Sequence, residues 1–302
     1  MPSPKPASSA LRFGANIDPN AADPDEAVAR AQLAEEAGFE LALMQDHPYN
    51  REHLDTWTTL GAIAAGTSRI TVGSNVSPLP LRSPVMLAKA VASLSVLTHG
   101  RVILGLGAGG FPDAIAGFGG PRRTPAEAVD ALNEGIRLIR RLWTDDGATT
   151  FAEAHYQARG AQFGPKPAAP IPIWIGGFKP RMLRLTGRLG DGILLSAPYV
   201  PLDHLPALNA SIDDAAIAAG RSPASIRRAY NVMGDIAGTD GDDTAAGTGG
   251  VYAVDTWVRG LIDYARSGRI DTFIFWPNND RHARLRQFAA EVIPAVRDGL
   301  AS

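Results

Sequence analysis

Short apolar runs alternate with longer helical periods eight times along this chain, and that alternation constrains the fold more than any other feature. The runs are Leu11 to Ile17, Leu41 to Gln45, Ile70 to Val76, Val102 to Gly107, Ile171 to Gly176, Gly192 to Ser196, Ile226 to Ile236 and Asp271 to Trp276. Most are short, bounded by Gly, Pro or Asn, and several are rich in Val and Ile, which suits parallel strands buried on both faces. Helical segments follow them. Pro24 to Ala37 opens behind Asp23 as an N-cap, Pro84 to Leu97 behind Ser83, and Pro180 to Leu189 ends at Gly190. Thr124, Pro125 and Glu127 open a helix reaching Trp143, with further helices over Asp55 to Ala65, Leu205 to Ala219, Thr256 to Arg266 and Arg281 to Val292. Strands alternating with helices imply a parallel sheet. Eight units in 302 residues fit a single (β/α)8 barrel domain, α/β in class, which commonly takes ~250 residues plus insertions. The rival is a doubly wound open sheet, but no Gly-rich dinucleotide turn follows the first run.

Two stretches interrupt the alternation. Residues 143–170 read as an insertion holding a small hairpin from Thr149 to Tyr156 and Ala161 to Phe163. Residues 238–250, GTDGDDTAAGTGG, are small or acidic and read as a mobile loop. Met1 to Ala10, rich in Pro, Ser and Ala with one Lys, reads as a disordered tail rather than a secretory signal, which places the protein in the cytoplasm. No stretch approaches the ~20 apolar residues of a membrane span. A net charge of −2 with a pI near 6.3 gives no global electrostatic reason to bind nucleic acid or an anionic membrane. With no cysteine, disulfides, thiolate metal sites, iron–sulfur clusters and a cysteine nucleophile are excluded.

A barrel carries its chemistry on the loops after the C-terminal strand ends. Those positions hold Asn16 and Asp18, then Asp46, His47, Pro48 and Tyr49, then Asn75, Val76, Ser77 and Pro78. The Gly105 to Phe111 run, Gly176, Gly177 and Phe178, Ser196 and Tyr199, Asn231, and Trp276, Pro277 and Asn278 complete the set. His47 is the histidine directly at a strand end. Two readings fit the Asp46–His47 pair: an acid/base group oriented by its neighbour, or a structural cap on the loop. The other histidines read as scattered surface residues. The glycines from Gly105 to Gly110 resemble a phosphate loop only weakly, because the next helix is expected at Thr124; they also read as room for a ring or backbone to approach closely. Gly176 and Gly177 precede a helix start with Lys179 and Arg181 nearby, which reads either as an anion seat or as a tight turn beside solvated cations. No metal set emerges: Asp46 and His47 are adjacent, and Asp240, Asp242 and Asp243 lack the spacing of a calcium loop. Ser196 has no nucleophile-elbow context.

Several segments together resemble one family. AEEAGFELALMQDH (34–47), the long stretch from AAGTSRITVGSN to VILGLGAGG (64–110), GPRRTPAEAVDALNEGIRLIRRLW (120–143), IPIWIGGFKPRMLRLTGRLGDGIL (171–194) and FAAEVIPAVR (288–297) are similar to the luciferase-like flavin and deazaflavin oxidoreductases, in particular the branch using coenzyme F420. The resemblance implies the barrel, a homodimer, and a ring system lying across the C-terminal mouth. It implies a non-proline cis peptide in the third strand, at Asn75–Val76 or else Ser74–Asn75. It seats the cofactor phosphate on Gly176 and Gly177 beside Phe178, puts Gly107, Ala108 and Gly109 at its flank, and brings Asp46 to the ring or its side chain. In relatives that oxidise alcohols, the histidine matching His47 takes the hydroxyl proton. Sugar-phosphate dehydrogenases of the family carry a glutamate after the Gly-rich loop; here Gly110 and then Phe111 stand there, which argues against that role. Tyr49, Phe111, Trp276 and Phe178 suggest an apolar or aromatic-lined pocket for a small organic substrate. The alternatives are an FMN-dependent two-component monooxygenase served by a cofactor reductase, and a non-catalytic cofactor-binding barrel.

Overall fold

The computed structural model describes residues 11–237 and 246–302. The tail expected at 1–10 and most of the loop expected at 238–250 lie outside the described residues. In chain order the elements are β1 (Arg12–Ile17), α1 (Glu26–Glu36), β2 (Leu41–Met44), α2 (Thr56–Gly66), β3 (Thr71–Ser74), β4 (Ser77–Pro78), α3 (Pro84–Leu97), β5 (Val102–Gly107), α4 (Pro112–Gly117) and α5 (Pro125–Thr144). The small hairpin β6 (Thr149–Ala152) and β7 (Gln157–Ala161) follows, then β8 (Ile173–Gly176), α6 (Pro180–Leu189), β9 (Gly192–Ser196), α7 (Leu205–Ala218), β10 (Arg227–Ile236), β11 (Thr248–Tyr252), α8 (Val254–Arg266), β12 (Thr272–Trp276), α9 (Arg281–Gln287) and α10 (Ile293–Ala301).

Eight staves close a parallel barrel in the order β1, β2, β3, β5, β8, β9, β10, β12, with β12 returning to β1. The register Gly14↔Leu41, Leu41↔Thr71, Leu104↔Ile173, Ile175↔Ile193 and Ala229↔Thr272 fixes which side chains face inward. Alternation splits each stave between two cores. Leu41, Leu43, Ile103, Trp174, Leu194, Ala229 and Ile274 form one buried cluster in the lumen. The intervening residues, such as Phe13, Ala15, Ala42, Met44, Leu104 and Phe273, pack outward into a larger core with the helices. Staves that supply both clusters, such as β2, are apolar on both faces and read as unbroken hydrophobic runs. The α5 start carries the reciprocal cap its sequence predicts, Thr124 and Glu127 each bonding the other's backbone N–H. Among the described residues no helix is long and apolar enough to cross a membrane.

Four details depart from the sequence reading. Helix α1 begins at Glu26, and Asp23 and Pro24 belong to the preceding turn, where the Glu26 N–H reaches Asp23 O at 3.3 Å. The second hairpin strand is Gln157–Ala161, ending at the residue where the sequence reading began it. A short helix, α4, opens directly behind the Gly-rich run, where none was expected before Thr124. The expected mobile loop is structured from Ala246 onward: Ala246 is buried, and β11 pairs in parallel with β10. Its small residues are what permit that pairing, since Gly247 has φ +88° and a Cβ there would sit 2.9 Å from Val232 Cβ.

Candidate active site

Beyond the apolar lumen cluster, Asn16, Gln45, Asn75, Gly107, Gly176, Ser196 and Trp276 stand at the C-terminal stave ends and Asn231 stands within β10, so the mouth is more polar than the lumen beneath it. Four of them form a hydrogen-bonded chain. Asn75 Nδ2 donates to Asn231 Oδ1 (2.7 Å), Asn231 Nδ2 donates to Ser196 Oγ (3.0 Å), and Trp276 Nε1 donates to Asn231 Oδ1 (3.1 Å). Across the mouth, Asn16 Nδ2 and Gln45 Nε2 both donate to Asp18 Oδ1, at 2.9 and 3.0 Å. Asn16 Oδ1 is buried and accepts from no group among the described residues.

The Asn75–Val76 peptide, just past β3, is cis, at the first of the two positions that the family resemblance implied. Val76 packs against the neighbouring staves β5 and β8. A Cβ at Gly107 would lie 2.9 Å from Val76 Cγ2, and one at Gly176 would lie 2.8 Å from the same atom. Gly109 (φ +93°) is crowded by Ile115 and Pro80, whereas Gly110 has open space about it. Ala108 is half-buried between them.

His47 stands on the loop after β2, half-buried, with Nδ1 2.7 Å from the Tyr49 hydroxyl. The Phe111 ring meets it edge-on with centroids 5.6 Å apart, and Tyr49 and Phe111 are 5.9 Å apart. Burial holds the imidazole below its ordinary titration range, His53 pushes the same way, and Asp46 opposes them. Burial, reinforced by the Asp46 charge, pushes the Tyr49 phenol up to about 12, so it stays protonated near neutral pH. His47 thus has an uncharged partner on Nδ1 and favours its own neutral form, a base or a hydrogen-bond donor according to tautomer.

Asp46 is 1% exposed and its carboxylate is occupied from below. Ser77 Oγ donates to Oδ2 at 2.6 Å, Arg82 Nε to Oδ2 at 3.2 Å, and Arg82 Nη2 to Oδ1 at 2.7 Å. Arg82 also pairs with Asp55 at 2.7 Å, and Trp57 Nε1 donates to Ser77 Oγ at 2.9 Å. This network ties β2, α2 and the loop after β3 together beneath His47.

Gly177 (φ +144°) turns the chain from β8 into α6, and Lys179 occupies the α6 cap position with no side-chain capping bond. A helix start leaves N–H groups without intrahelical partners and is electropositive. The Lys179 ammonium lies over the exposed Phe178 ring, 5.0 Å from its centroid.

The structure therefore gathers His47, Tyr49 and Phe111 into one cluster, and Asn75, Val76, Gly107, Gly176 and Trp276 into the polar layer beside it. It adds residues to which the sequence reading gave no role. Asn231 and Ser196 were visible as stave ends. Ser77 was visible at a stave end without a role, whereas Trp57 and Arg82 gave no signal, because only the fold brings them to Asp46. His53, read as a surface residue, is half-buried 6.3 Å from the His47 ring, with Nδ1 buried and Nε2 3.0 Å from Asn50 Nδ2.

A closed α/β barrel with a polar amide layer, a neutral histidine and an uncapped helix start at its C-terminal mouth defines an enzyme-type, ligand-binding barrel. Residues 8–242 match the luciferase-like monooxygenase family, and the chain belongs to that family. It is 34% identical over 273 residues to the F420-dependent hydroxymycolic acid dehydrogenase of Mycobacterium tuberculosis, covering 87% of this chain and 71% of that protein. It is 32% identical over 220 residues to the F420-dependent glucose-6-phosphate dehydrogenase of Nakamurella multipartita, covering 70% of this chain and 63% of that protein, so the match spans under two thirds of this second relative. Among solved structures, an F420-dependent secondary alcohol dehydrogenase in complex with an F420–acetone adduct superposes with a TM-score of 0.83 over 95% of this chain and 99% of that one, at 20% identity. At that identity the likeness establishes the fold.

Proposed function

We propose that this protein is a coenzyme F420-dependent oxidoreductase acting on a small organic alcohol or its carbonyl counterpart. The observation that carries the reading is His47 at the barrel mouth, kept neutral by burial and bonded through Nδ1 to a phenol that does not ionise near pH 7. The resemblance to F420-dependent dehydrogenases across most of the chain supports the choice of cofactor.

The mouth suits such a group. Asn16 Oδ1 is a buried acceptor awaiting a donor, and Asn75 and Val76 present an amide and an apolar wedge where a flat ring would rest. Gly107, Ala108 and Gly109 flank that position. Gly177, Phe178 and the α6 start, with Lys179, offer backbone N–H groups and positive charge to a phosphate-bearing tail. Bound F420 supplies the hydride acceptor or donor. His47 takes the proton from the substrate hydroxyl, or returns it to a carbonyl oxygen, at Nε2 while Tyr49 holds Nδ1. Phe111 screens the imidazole from solvent on one edge. Asp46, anchored to Arg82 and Ser77, positions the loop that carries His47 rather than reaching the ligand.

A homodimer belongs to the same reading. Helices α2 and α3 are apolar around most of their circumference, and α3 leaves Met86 65% and Leu97 77% exposed. Light scattering of the purified chain tests this directly.

The cofactor is tested by titrating the apoprotein with oxidised F420 and with FMN side by side, followed by turnover with a panel of alcohols. Preferential F420 binding and alcohol-dependent F420 reduction are the expected results. Binding of FMN alone, with oxygen uptake when a flavin reductase is added, overturns the proposal.

A further inference from the structure

The N-terminal end of the barrel, opposite the candidate active site, holds a cavity of about 310 Å³. Arg12, Thr71 and Arg227, the first residues of β1, β3 and β10, line it together with Trp174 on β8 and Asp191 just ahead of β9. The apolar lumen cluster, to which Trp174 belongs, separates it from the mouth.

Three of these residues carry hydrogen-bond donors that no group among the described residues accepts. The half-buried Arg12 guanidinium makes neither a hydrogen bond nor a contact ion pair, and the Thr71 hydroxyl is likewise unpartnered. Trp174 is 1% exposed, and its indole nitrogen lies against Gly192, where a Cβ would stand 2.9 Å from Nε1. That N–H meets no acceptor. The chain's other four tryptophans all place theirs: Trp57 on Ser77, Trp143 on Ala88 O, Trp257 on Asp235 O and Trp276 on Asn231. Buried donors are nearly always paired, so three unpaired ones on a single cavity call for an acceptor.

The charges make that acceptor an anion. Each carboxylate close by already has a cation: Asp191 has Arg140 at 2.8 Å and Arg221 at 3.6 Å, Glu40 has Arg297 at 3.2 Å, and Asp271 has Arg227 at 3.6 Å. Arg12 has none, and residues 1–10, which lead into it, contain no Asp or Glu. Burial holds the Arg12 pKa below its ordinary value; Glu40 and Asp271 oppose this, and the neighbouring positive charge of Arg227 adds to it. The cavity is larger than an inorganic oxyanion fills, and Ile103, Pro170 and Pro172 make part of its wall apolar.

We infer that this cavity is a second ligand site, for a small carboxylate borne on an apolar body. The Arg12 fork and the Trp174 and Thr71 donors serve the carboxylate, and Ile103 and the prolines serve the body. The inference rests on no part of the redox reading.

The test uses the full chain without cofactor, isotopically labelled at its tryptophan indole nitrogens, titrated with benzoate and followed by NMR. Trp174→Phe assigns the Trp174 signal by its disappearance. Benzoate is expected to move that signal saturably and to leave the Trp276 signal, at the mouth, in place. Benzyl alcohol has the ring without the charge, and inorganic phosphate the charge without the ring; each is expected to bind at least about tenfold more weakly. Arg12→Gln is expected to weaken benzoate by about ten- to a hundredfold, and Thr71→Val by less. The tryptophan signals before titration report whether each variant is folded. Trp174→Phe, which keeps a ring and loses the donor, is titrated by calorimetry and carries the test if the arginine variant does not fold. Absence of saturable benzoate binding leaves the donors to water and overturns the inference. So does a shift confined to Trp276, equal binding of either control, or unchanged affinity in Arg12→Gln and Trp174→Phe. Whether F420 binds decides nothing here, so the two readings fail separately.

Discussion

Replacing Asp46 with Ala separates two roles that its position beside His47 allows. If the carboxylate serves the fold, the loss appears in stability. If it touches the cofactor, the loss appears in affinity. The structure gives the magnitude. Asp46 is 1% exposed and accepts three hydrogen bonds, two from Arg82 and one from Ser77. Removing one partner of a buried ion pair typically costs about 3–5 kcal/mol. Here Arg82 keeps Asp55 at 2.7 Å, so the guanidinium is not stranded, and the cost falls at the low end. The Ser77 hydroxyl still accepts from Trp57, but its own hydrogen loses its acceptor, a burial penalty of about 1–3 kcal/mol that forms part of the same total. The expected loss is about 3 kcal/mol, with Asp46→Asn losing less because it keeps an acceptor for Ser77. Urea unfolding followed by tryptophan fluorescence measures it, and Trp57 lies inside the perturbed network. F420 affinity, measured at urea concentrations where the variant is folded, is expected to stay within a few-fold of the parent. A stability loss under about 1 kcal/mol together with a tenfold or greater fall in F420 affinity would refute the reasoning and return Asp46 to the cofactor.

Four further outcomes follow from the site and its frame. His47→Ala is expected to lower turnover by about 10²–10⁴-fold with F420 affinity intact, and unchanged turnover removes it from the mechanism. Because burial holds His47 below 6.5 in the native state, its neutral form persists at lower pH than in an unfolded chain. The stability it contributes is therefore fully present above ~6.5 and lost as pH falls from there through the native pKa; the acid limb of kcat/KM for alcohol oxidation is likewise expected below 6.5, and a limb above 7 contradicts this. Gly177→Val places a β-branched side chain at φ +144° against Met182 and is expected to weaken F420 binding more than FMN-independent fold stability readouts register; an unchanged F420 titration removes this turn from the phosphate seat. Thr124→Ala removes the α5 cap and is expected to cost about 0.5–2 kcal/mol in urea unfolding, with no change in cofactor affinity.

The barrel was legible because its staves are buried on both sides. Leu41 and Leu43 face the lumen while Ala42 and Met44 face the helices, so nothing polar interrupts the run. Helix ends were legible where local chemistry decides them, as at Thr124 and Gly190, and misplaced where a proline serves a turn instead, as at Pro24. The strand β11 was hidden because glycine and alanine read as unpacked chain, although between β10 and α8 smallness is what allows packing: Ala246 lies under Gly260, whose Cβ would stand 2.9 Å away. His47, Tyr49 and Phe111 were legible as residues beyond strand ends. Their association was not, since Phe111 comes from a loop more than sixty residues downstream and meets His47 only once β3 and β5 are laid in order.

The glycines of the mouth are where sequence and structure differ most in meaning. Gly105 and Gly107 read as room for a ring or for backbone to approach, and Gly176 as part of an anion seat or a tight turn. In the fold, a Cβ at Gly105 would stand 2.0 Å from Ser74 O, and those at Gly107 and Gly176 would collide with Val76. Glycine is required on β5 and β8 because the chain itself approaches there, through Ser74 O and the Val76 side chain. The surface offered to a ring at this position is therefore the isopropyl group of Val76 and the amide of Asn75, not bare glycine backbone. Because Val76 rests on glycines from two staves, and Asn75 is bonded to Asn231 on a third, the bulge cannot shift without moving β5, β8 or β10. The parts that would meet a ligand's ring are thus held by the barrel wall, whereas His47, Tyr49 and Phe111 ride on loops. The rigid half of the mouth is suited to a cofactor that is always the same, and the loop-borne half to the substrate, whose form is what varies from one such barrel to the next.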